Sequence, residues 1–392
     1  MMSKSPSKLE SIVSEGKARV SFSLQSASVF YNPRMSLNRD LAVLFAASYF
    51  SSARELRVCD PTTASGIRAA RYALEVPNVS RVIAGDREAD AVQLASKTVS
   101  FNRLGDKVSV VASDANLLLL SQMDERFDII DLDPFGSPAP FFESALRATT
   151  DGGILAATAT DMGPLSGARP AACTRKYGVR PVRTEFEKEM AVRILAGCLV
   201  NIAGRLELGI AMKFTHATDH YARLYALVTK SRKAANECSS RLGFLEYCPN
   251  CLTRRVMYSL DSITTKCERC NSKIKVGGPI WLGSLWDNTT IESMIQHTPT
   301  LHSSRLSEIQ KTLAYIQDEA EAQPFYYTTD AVAKATKTNP VSIPRTLDVL
   351  KRNGFLASRT HFNPSGFRTN ASALEVGSLL CGVSGVPQAE KV

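Results

Sequence analysis

The sequence predicts an α/β fold built on a doubly wound parallel sheet, followed by a smaller α+β region. Three observations predict it. Short apolar runs alternate with amphipathic stretches between residues 55 and 160, two C-x-x-C pairs lie between Cys248 and Cys270, and a helix, turn, helix, hairpin order fills residues 328–369. Strand–helix alternation points to parallel pairing, because each strand then needs a crossover to return in the same direction.

Residues 56–59 read as the first strand and 66–75 as its helix. Residues 79–84 form a second strand, and 88–102 a helix with Ala91, Leu94, Ala95 and Val99 on one face. Strands follow at 107–112, 127–132 and 153–158, and 206–214 with 221–230 read as an antiparallel hairpin able to close the sheet. Past residue 230 an exposed helix is expected at 304–320, then helices at 328–338 and 341–352, the second ended by Gly354 as a C-cap. Residues 355–359 and 367–369 flank the turn Asn363-Pro364-Ser365-Gly366, which completes the order of a winged helix. The expected domains are 1–231 and 232–392, with a four-cysteine module at about 245–275 and a winged-helix-like part at about 325–375.

Of 392 residues, 44% are hydrophobic and 22% charged, which excludes wholesale disorder and fibrous architecture. No apolar run approaches the about 18 residues of a membrane span. Residues 1–10 are polar and lack the apolar stretch of a secretion signal, so a cytoplasmic location is expected, with no membrane and no obligate protein partner. Lys and Arg number 47 against 38 Asp and Glu, a net charge of +9, and residues 328–370 hold seven basic and two acidic side chains. That concentration suggests a polyanionic partner. The nine cysteines are expected to be thiols, Cys59 and Cys198 being small core residues.

The loop after the first strand carries a single glycine, Gly66, and no Walker lysine, so a pyrophosphate ligand is not expected. Asp86 ends the second strand twenty positions later, where a carboxylate grips ribose hydroxyls in doubly wound folds. Ser113-Asp114-Ala115 ends the third, placing an acceptor and backbone where an adenine edge is read. Singly, each aspartate suits an N-cap or a turn. In order, and without a phosphate loop, they suit a phosphate-free nucleoside such as S-adenosylmethionine. The fourth strand runs into Asp133-Pro134-Phe135-Gly136. An exocyclic base amine is a poor nucleophile because its lone pair is delocalised into the ring. A carboxylate and the Pro134 carbonyl, accepting its N–H bonds, favour a pyramidal nitrogen, and the ring of Phe135 stacks on the base.

These residues sit in a sequence that resembles the tRNA (guanine-26-N2)-dimethyltransferase family of archaea and eukaryotes over nearly its whole length. The marks are Glu15-Gly16-Lys17-Ala18, Val29-Phe30-Tyr31-Asn32-Pro33, Asn38-Arg39-Asp40, Ala64-Ser65-Gly66-Ile67-Arg68 and Asp131-Leu132-Asp133-Pro134-Phe135-Gly136-Ser137-Pro138. Thr158-Ala159-Thr160-Asp161, Trp281-Leu282-Gly283 and His361-Phe362-Asn363-Pro364-Ser365-Gly366 continue them. The resemblance implies a Rossmann-like methyltransferase domain dependent on S-adenosylmethionine, with tRNA as substrate and one or two methyls placed on N2 of guanine 26. It further implies that Arg39 and Arg68 hold the methionine carboxylate, that Asp86 binds ribose, that Asp114 and Ala115 contact adenine, that Asp133 is catalytic, and that Phe30 and Phe135 hold the flipped guanine.

Cys248, Cys251, Cys267 and Cys270, two knuckles fifteen residues apart, match a closed four-cysteine zinc site of structural character, two redox pairs being the alternative. Among the basic residues of the winged-helix part, Arg359 and Arg368 flank the turn and are expected on the tRNA backbone. The rival readings are a base methyltransferase acting at tRNA position 27 or on ribosomal RNA, and a non-enzymatic nucleic-acid-binding protein built from the zinc module and winged helix.

Overall fold

The structure is a computed structural model that describes residues 10–23, 31–51, 55–218, 220–261 and 263–383. It opens with an antiparallel hairpin of β1 (Glu10–Glu15) and β2 (Ala18–Ser23), followed by the helix Ser36–Tyr49. The main sheet then begins. β3 (Leu56–Asp60), β4 (Val79–Asp86), β5 (Val108–Ala112), β6 (Phe127–Leu132) and β7 (Thr149–Ala159) are parallel, and β8 (Leu208–Thr218) and β9 (Tyr221–Lys230) form an antiparallel hairpin. The strand order is β5-β4-β3-β6-β7-β9-β8, a mixed seven-stranded sheet as the hairpin reading implies. β6 is buried at every position, as expected of a central parallel strand covered on both faces.

Several strands run past their sequence limits because the ladder continues. Gly85 and Asp86 pair with Val111 and Ala112, so Asp86 is the last residue of β4. Thr215 to Thr218 pair back onto Leu224 to Tyr221, which carries β8 beyond residue 214. Gly66 stands at φ +73° before the helix Ile67–Glu75, and a Cβ there would lie 2.9 Å from the Ala95 Cα. Only glycine allows the helices Ile67–Glu75 and Ala89–Phe101 to meet so closely.

In the C-terminal part, β10 (Leu242–Tyr247), β11 (Arg254–Met257) and β12 (Lys275–Trp281) make a small sheet in the order β11-β10-β12. β13 (Tyr327–Thr328), the helices Thr329–Thr336 and Ile343–Arg352, β14 (Ala357–Arg359) and β15 (Gly366–Thr369) give the winged-helix order, with the sheet β13-β15-β14. A helix appears at Leu306–Glu319, but it is not exposed throughout: Ile309, Leu313, Ile316 and Glu319 form a buried face.

The chain divides into two compact units, interleaved in sequence: Met1–Pro134, Phe141–Ala157 and Glu292–Lys311 form the first, and Phe135–Pro140, Thr158–Ile291 and Thr312–Val392 the second. That division does not fall at residue 231. Within the second unit the helix Glu187–Arg205 presses Gly197 against the backbone of Trp281, where a Cβ would meet the Trp281 nitrogen at 3.0 Å, so residues on both sides of 231 share one core. Among the described residues no helix is long and apolar enough to cross a membrane. Cys59 and Cys198 are buried, as read from the sequence.

Candidate active site

The carboxyl ends of β3 and β6 deliver three aspartates, Asp60, Asp131 and Asp133, to the surroundings of one guanidinium. Arg68, on the first turn of the helix Ile67–Glu75, is buried and donates from Nη1 to Asp131 Oδ2 at 3.0 Å and from Nη2 to Asn38 Oδ1 at 2.9 Å. Its Nη2 also forms a close ion pair with Asp133 Oδ2. Tyr72 adds a hydroxyl to Asp131 Oδ2 at 2.7 Å. The Asp131 side chain has no exposure, whereas Asp133 retains 16%. Asp133 is thus the more open of the two carboxylates on Arg68, and Asn38 holds the guanidinium that pairs with it.

Arg68, expected from the resemblance to hold a methionine carboxylate, is engaged by these side chains. Two carboxylates delivered by a buried strand need a buried counter-charge, and Arg68 supplies it. Arg39, given the same expected role, is likewise engaged. Its fork is taken by Glu15, Nε to Oε1 at 2.6 Å and Nη2 to Oε2 at 2.5 Å, with the Asn32 carbonyl at 3.0 Å. Glu15 also accepts from Arg71 Nη1 at 2.9 Å, and Arg71 reaches Asp40 at 2.6 Å and Glu75 at 2.7 Å. Burial works against charge on Glu15, but its bonds to Arg39 and the charges of Arg39 and Arg71 prevail and lower its pKa to about 2. Gly16 sits at φ +57° beside this network, where a Cβ would meet Glu75 Oε1 at 2.2 Å.

Asp60, fully buried, accepts the Thr63 hydroxyl on Oδ2 at 2.8 Å, while Oδ1 has no hydrogen-bond partner. Burial raises its pKa to about 7, against the lowering charge of Arg68 and with Asp131 adding to the rise. A buried orphan acceptor at the end of β3 fits a donor-bearing ligand in the loop at 61–66. Asp86 lies at the same edge: it accepts from the Ala64 N–H at 2.9 Å and the Glu88 N–H at 3.1 Å. Asp114 caps the helix Ala115–Ser121, Oδ1 accepting from Asn116 N at 2.9 Å and Leu117 N at 3.3 Å. The capping role that a single aspartate suits is therefore filled, with the buried Ala115 behind it.

In the second unit the segment after Pro134 is clamped to the end of β7. Gly136 N–H donates to Thr160 Oγ1 at 2.8 Å, and Thr160 N–H returns a bond to the Gly136 carbonyl at 2.9 Å. Asp161 holds the Tyr177 hydroxyl at 2.5 Å and Lys176 Nζ at 2.7 Å. Thr158 accepts from the buried Arg223 at 2.6 Å. The clamp presents Phe135 with its ring 86% exposed. An exposed phenylalanine on a fixed loop is not a core residue. The motif Thr158-Ala159-Thr160-Asp161 marked this segment in the sequence, but its two-way bond to Gly136 could not be read there. Phe30 lies outside the described residues.

The four cysteine sulfurs all lie within 4.8 Å of one another, Cys248 and Cys270 at 3.4 Å and Cys251 and Cys267 at 3.5 Å. Both knuckles are built alike. Leu252 N–H bonds the Cys248 carbonyl at 2.9 Å and Asn271 N–H the Cys267 carbonyl at 2.8 Å, each from a left-handed residue at φ +62° and +55°. Four thiols so placed fit a tetrahedral zinc ion.

Arg368 departs from expectation most. It is buried, paired with Glu319 through Nε and with Glu189 Oε2 at 3.0 Å, and it donates to the Gln323 carbonyl at 3.0 Å, so no phosphate reaches it. Glu319 also accepts from His361 Nδ1 at 2.5 Å; burial opposes its charge, but Arg368 and His361 lower its pKa to about 2. Arg359 is partly exposed and lies over the Tyr315 ring at 5.9 Å. Lys334, Lys337, Arg345, Lys351 and Arg352 all face solvent on or beside the two winged-helix helices.

Comparison with known proteins identifies the family to which the chain is similar. A family described as N2,N2-dimethylguanosine tRNA methyltransferase matches residues 9–380. A tRNA (guanine(26)-N(2))-dimethyltransferase of Methanosphaera stadtmanae is 33% identical over 356 residues, 90% of this chain and 91% of the relative. The tRNA (guanine(26)-N(2)/guanine(27)-N(2))-dimethyltransferase of Aquifex aeolicus is 36% identical over 352 residues, 89% and 88% of the two chains. Among solved structures, Trm1 from Pyrococcus horikoshii in complex with S-adenosyl-L-methionine superposes with a TM-score of 0.86 at 32% identity, covering 94% of this chain and 99% of that one.

Proposed function

The chain belongs to the N2,N2-dimethylguanosine tRNA methyltransferase family, and we propose that Asp133, held by Arg68 and followed by the exposed ring of Phe135, is its working centre. The enzyme transfers methyl groups from S-adenosylmethionine to the exocyclic N2 of guanine 26 in tRNA. The observation that carries the assignment is the unequal exposure of two carboxylates on one guanidinium: Asp131 sealed, Asp133 open.

The base is turned out of its stack, at a cost of a few kcal/mol, and stacks on Phe135. Asp133 and the Pro134 carbonyl accept its N2–H bonds, which localises the nitrogen lone pair. Arg68 and Asn38 keep the carboxylate aimed and balance its charge. Asp60 and Asp86 line the edge that holds the nucleoside, Asp86 at ribose distance along the motif, with Asp114 and Ala115 on the adenine side. S-adenosylmethionine, when bound, supplies a methyl on a sulfonium that needs no acid to leave, so positioning carries much of the rate. Zn2+ would be held by Cys248, Cys251, Cys267 and Cys270 as a structural cross-link with no open position.

Residues 232–392 act as the tRNA-binding part, with Arg359 and the exposed lysines and arginines on phosphates. The cytoplasm is the proposed place of this work, in keeping with a tRNA substrate. The Aquifex aeolicus relative, named for guanines 26 and 27, favours a second reading in which position 27 is also methylated. Mass spectrometry of nucleosides from tRNA treated with this protein and labelled S-adenosylmethionine decides both product and position. Label in N2-methyl- or N2,N2-dimethylguanosine at position 26 is expected, and label in no guanosine refutes the assignment.

A further inference from the structure

Of the large hydrophobic side chains exposed among the described residues, four crowd into eight positions of the four-cysteine module. They are Val256, Tyr258, Leu260 and Ile263, at 42%, 62%, 48% and 43% exposure. The stretch that carries them is pinned at both ends by one buried carboxylate. Glu246 on β10 accepts from Arg255 Nε at 2.8 Å and from the Thr264 N–H at 2.7 Å. The apolar side chains between those anchors are therefore held out into water by a built support. Lys266, Arg269, Lys273 and Lys275 also face solvent in this module, against the exposed acids Asp261 and Glu268.

We propose that this surface docks unpaired bases of the tRNA, with Tyr258 as the stacking platform and the neighbouring lysines on the flanking phosphates. The proposal rests on the tRNA methyltransferase reading and adds a contact away from residues 133–135. The chemistry selects this occupant. A second copy of the chain, meeting the same patch across a two-fold axis, would set lysine against lysine, and lysines are depleted from protein interfaces. Paired A-form RNA offers phosphates and 2′-hydroxyls but few base faces, so exposed aromatic and aliphatic side chains in a module that also exposes cations suit bases outside a helix.

The test is tRNA affinity measured over a range of salt concentrations for the zinc-loaded full chain and its variants. Tyr258→Ala should weaken binding about tenfold with an unchanged salt slope, since a stacked base carries no counterion. Tyr258→Phe should restore affinity, and Tyr258→Leu, which keeps bulk but not a flat face, should not. Lys273→Ala with Lys275→Ala should lower the salt slope by about two. Wild-type affinity in Tyr258→Ala or Tyr258→Leu, with methylation of tRNA intact, overturns the surface while leaving the enzyme assignment standing. A wild-type dimer in sedimentation that Tyr258→Ala breaks also overturns it, in favour of self-association.

Discussion

Arg68 in the first unit and Arg368 in the second each hold two carboxylates, yet the two clusters do different work. Around Arg68, Asp131 is sealed while Asp133 keeps 16% exposure. Around Arg368, Glu189 and Glu319 have none. Each guanidinium is paired with two carboxylates, but access to solvent differs. A guanidinium closed in with both partners is a fastening, whereas one that leaves a partner at the surface aims that partner at whatever binds there. Residue type and spacing alone do not distinguish these cases.

The difference can be broken or sharpened by substitution. Arg368→Met takes one charge partner from two buried carboxylates, which keep Arg193 and His361, and should cost about 3–5 kcal/mol in denaturant unfolding, while the folded fraction keeps its turnover. Lost turnover at unchanged stability would contradict the fastening role. Asp133→Ala should do the reverse: methyl transfer falls about 10²–10³-fold, and tRNA affinity and melting temperature hold. Near-normal methylation would remove Asp133 from the chemistry. Thr160→Val leaves the Gly136 N–H without its acceptor and should lower the single-turnover methylation rate about tenfold, with cofactor affinity unchanged. Arg359→Ala should weaken tRNA binding a few-fold and reduce the salt slope by about one, an effect that Arg368 variants should lack.

The clusters also oppose each other in pH. Glu319 has its pKa lowered from 4.5 to about 2, so its contribution to stability is full above 4.5 and fades as pH falls toward 2. Asp60, raised from 3.8 to about 7, favours the folded state when protonated, and its contribution fades as pH rises through that range. Stability profiles of Glu319→Gln and Asp60→Asn should accordingly flatten in different windows, the first below 4.5 and the second between 3.8 and 7. Identical profiles would erase the distinction.

Much of the site was legible because it is local. The strand at 127–132 and the Asp133-Pro134-Phe135 run that leaves it are contiguous, as are the cysteine knuckles and the helix, turn, helix, hairpin order. Charges that find their partners across the fold were not legible. Arg39 meets Glu15 24 residues away and Arg368 meets Glu319 49 residues away, and an unpaired arginine in a sequence looks like surface. Asp114 fell between the two cases, a ligand residue by order and a helix cap by geometry.

The turn at Gly16 has a practical consequence. The first hairpin looks dispensable on paper, yet its bend leaves no room for even a methyl group beside Glu75, and Glu15 is the counter-ion for two interior arginines. Trimming the protein ahead of residue 24 to tidy its start would take from the buried Arg39 the carboxylate of Glu15, and from Arg71 one of three. Shortened versions should therefore precipitate rather than merely lose activity.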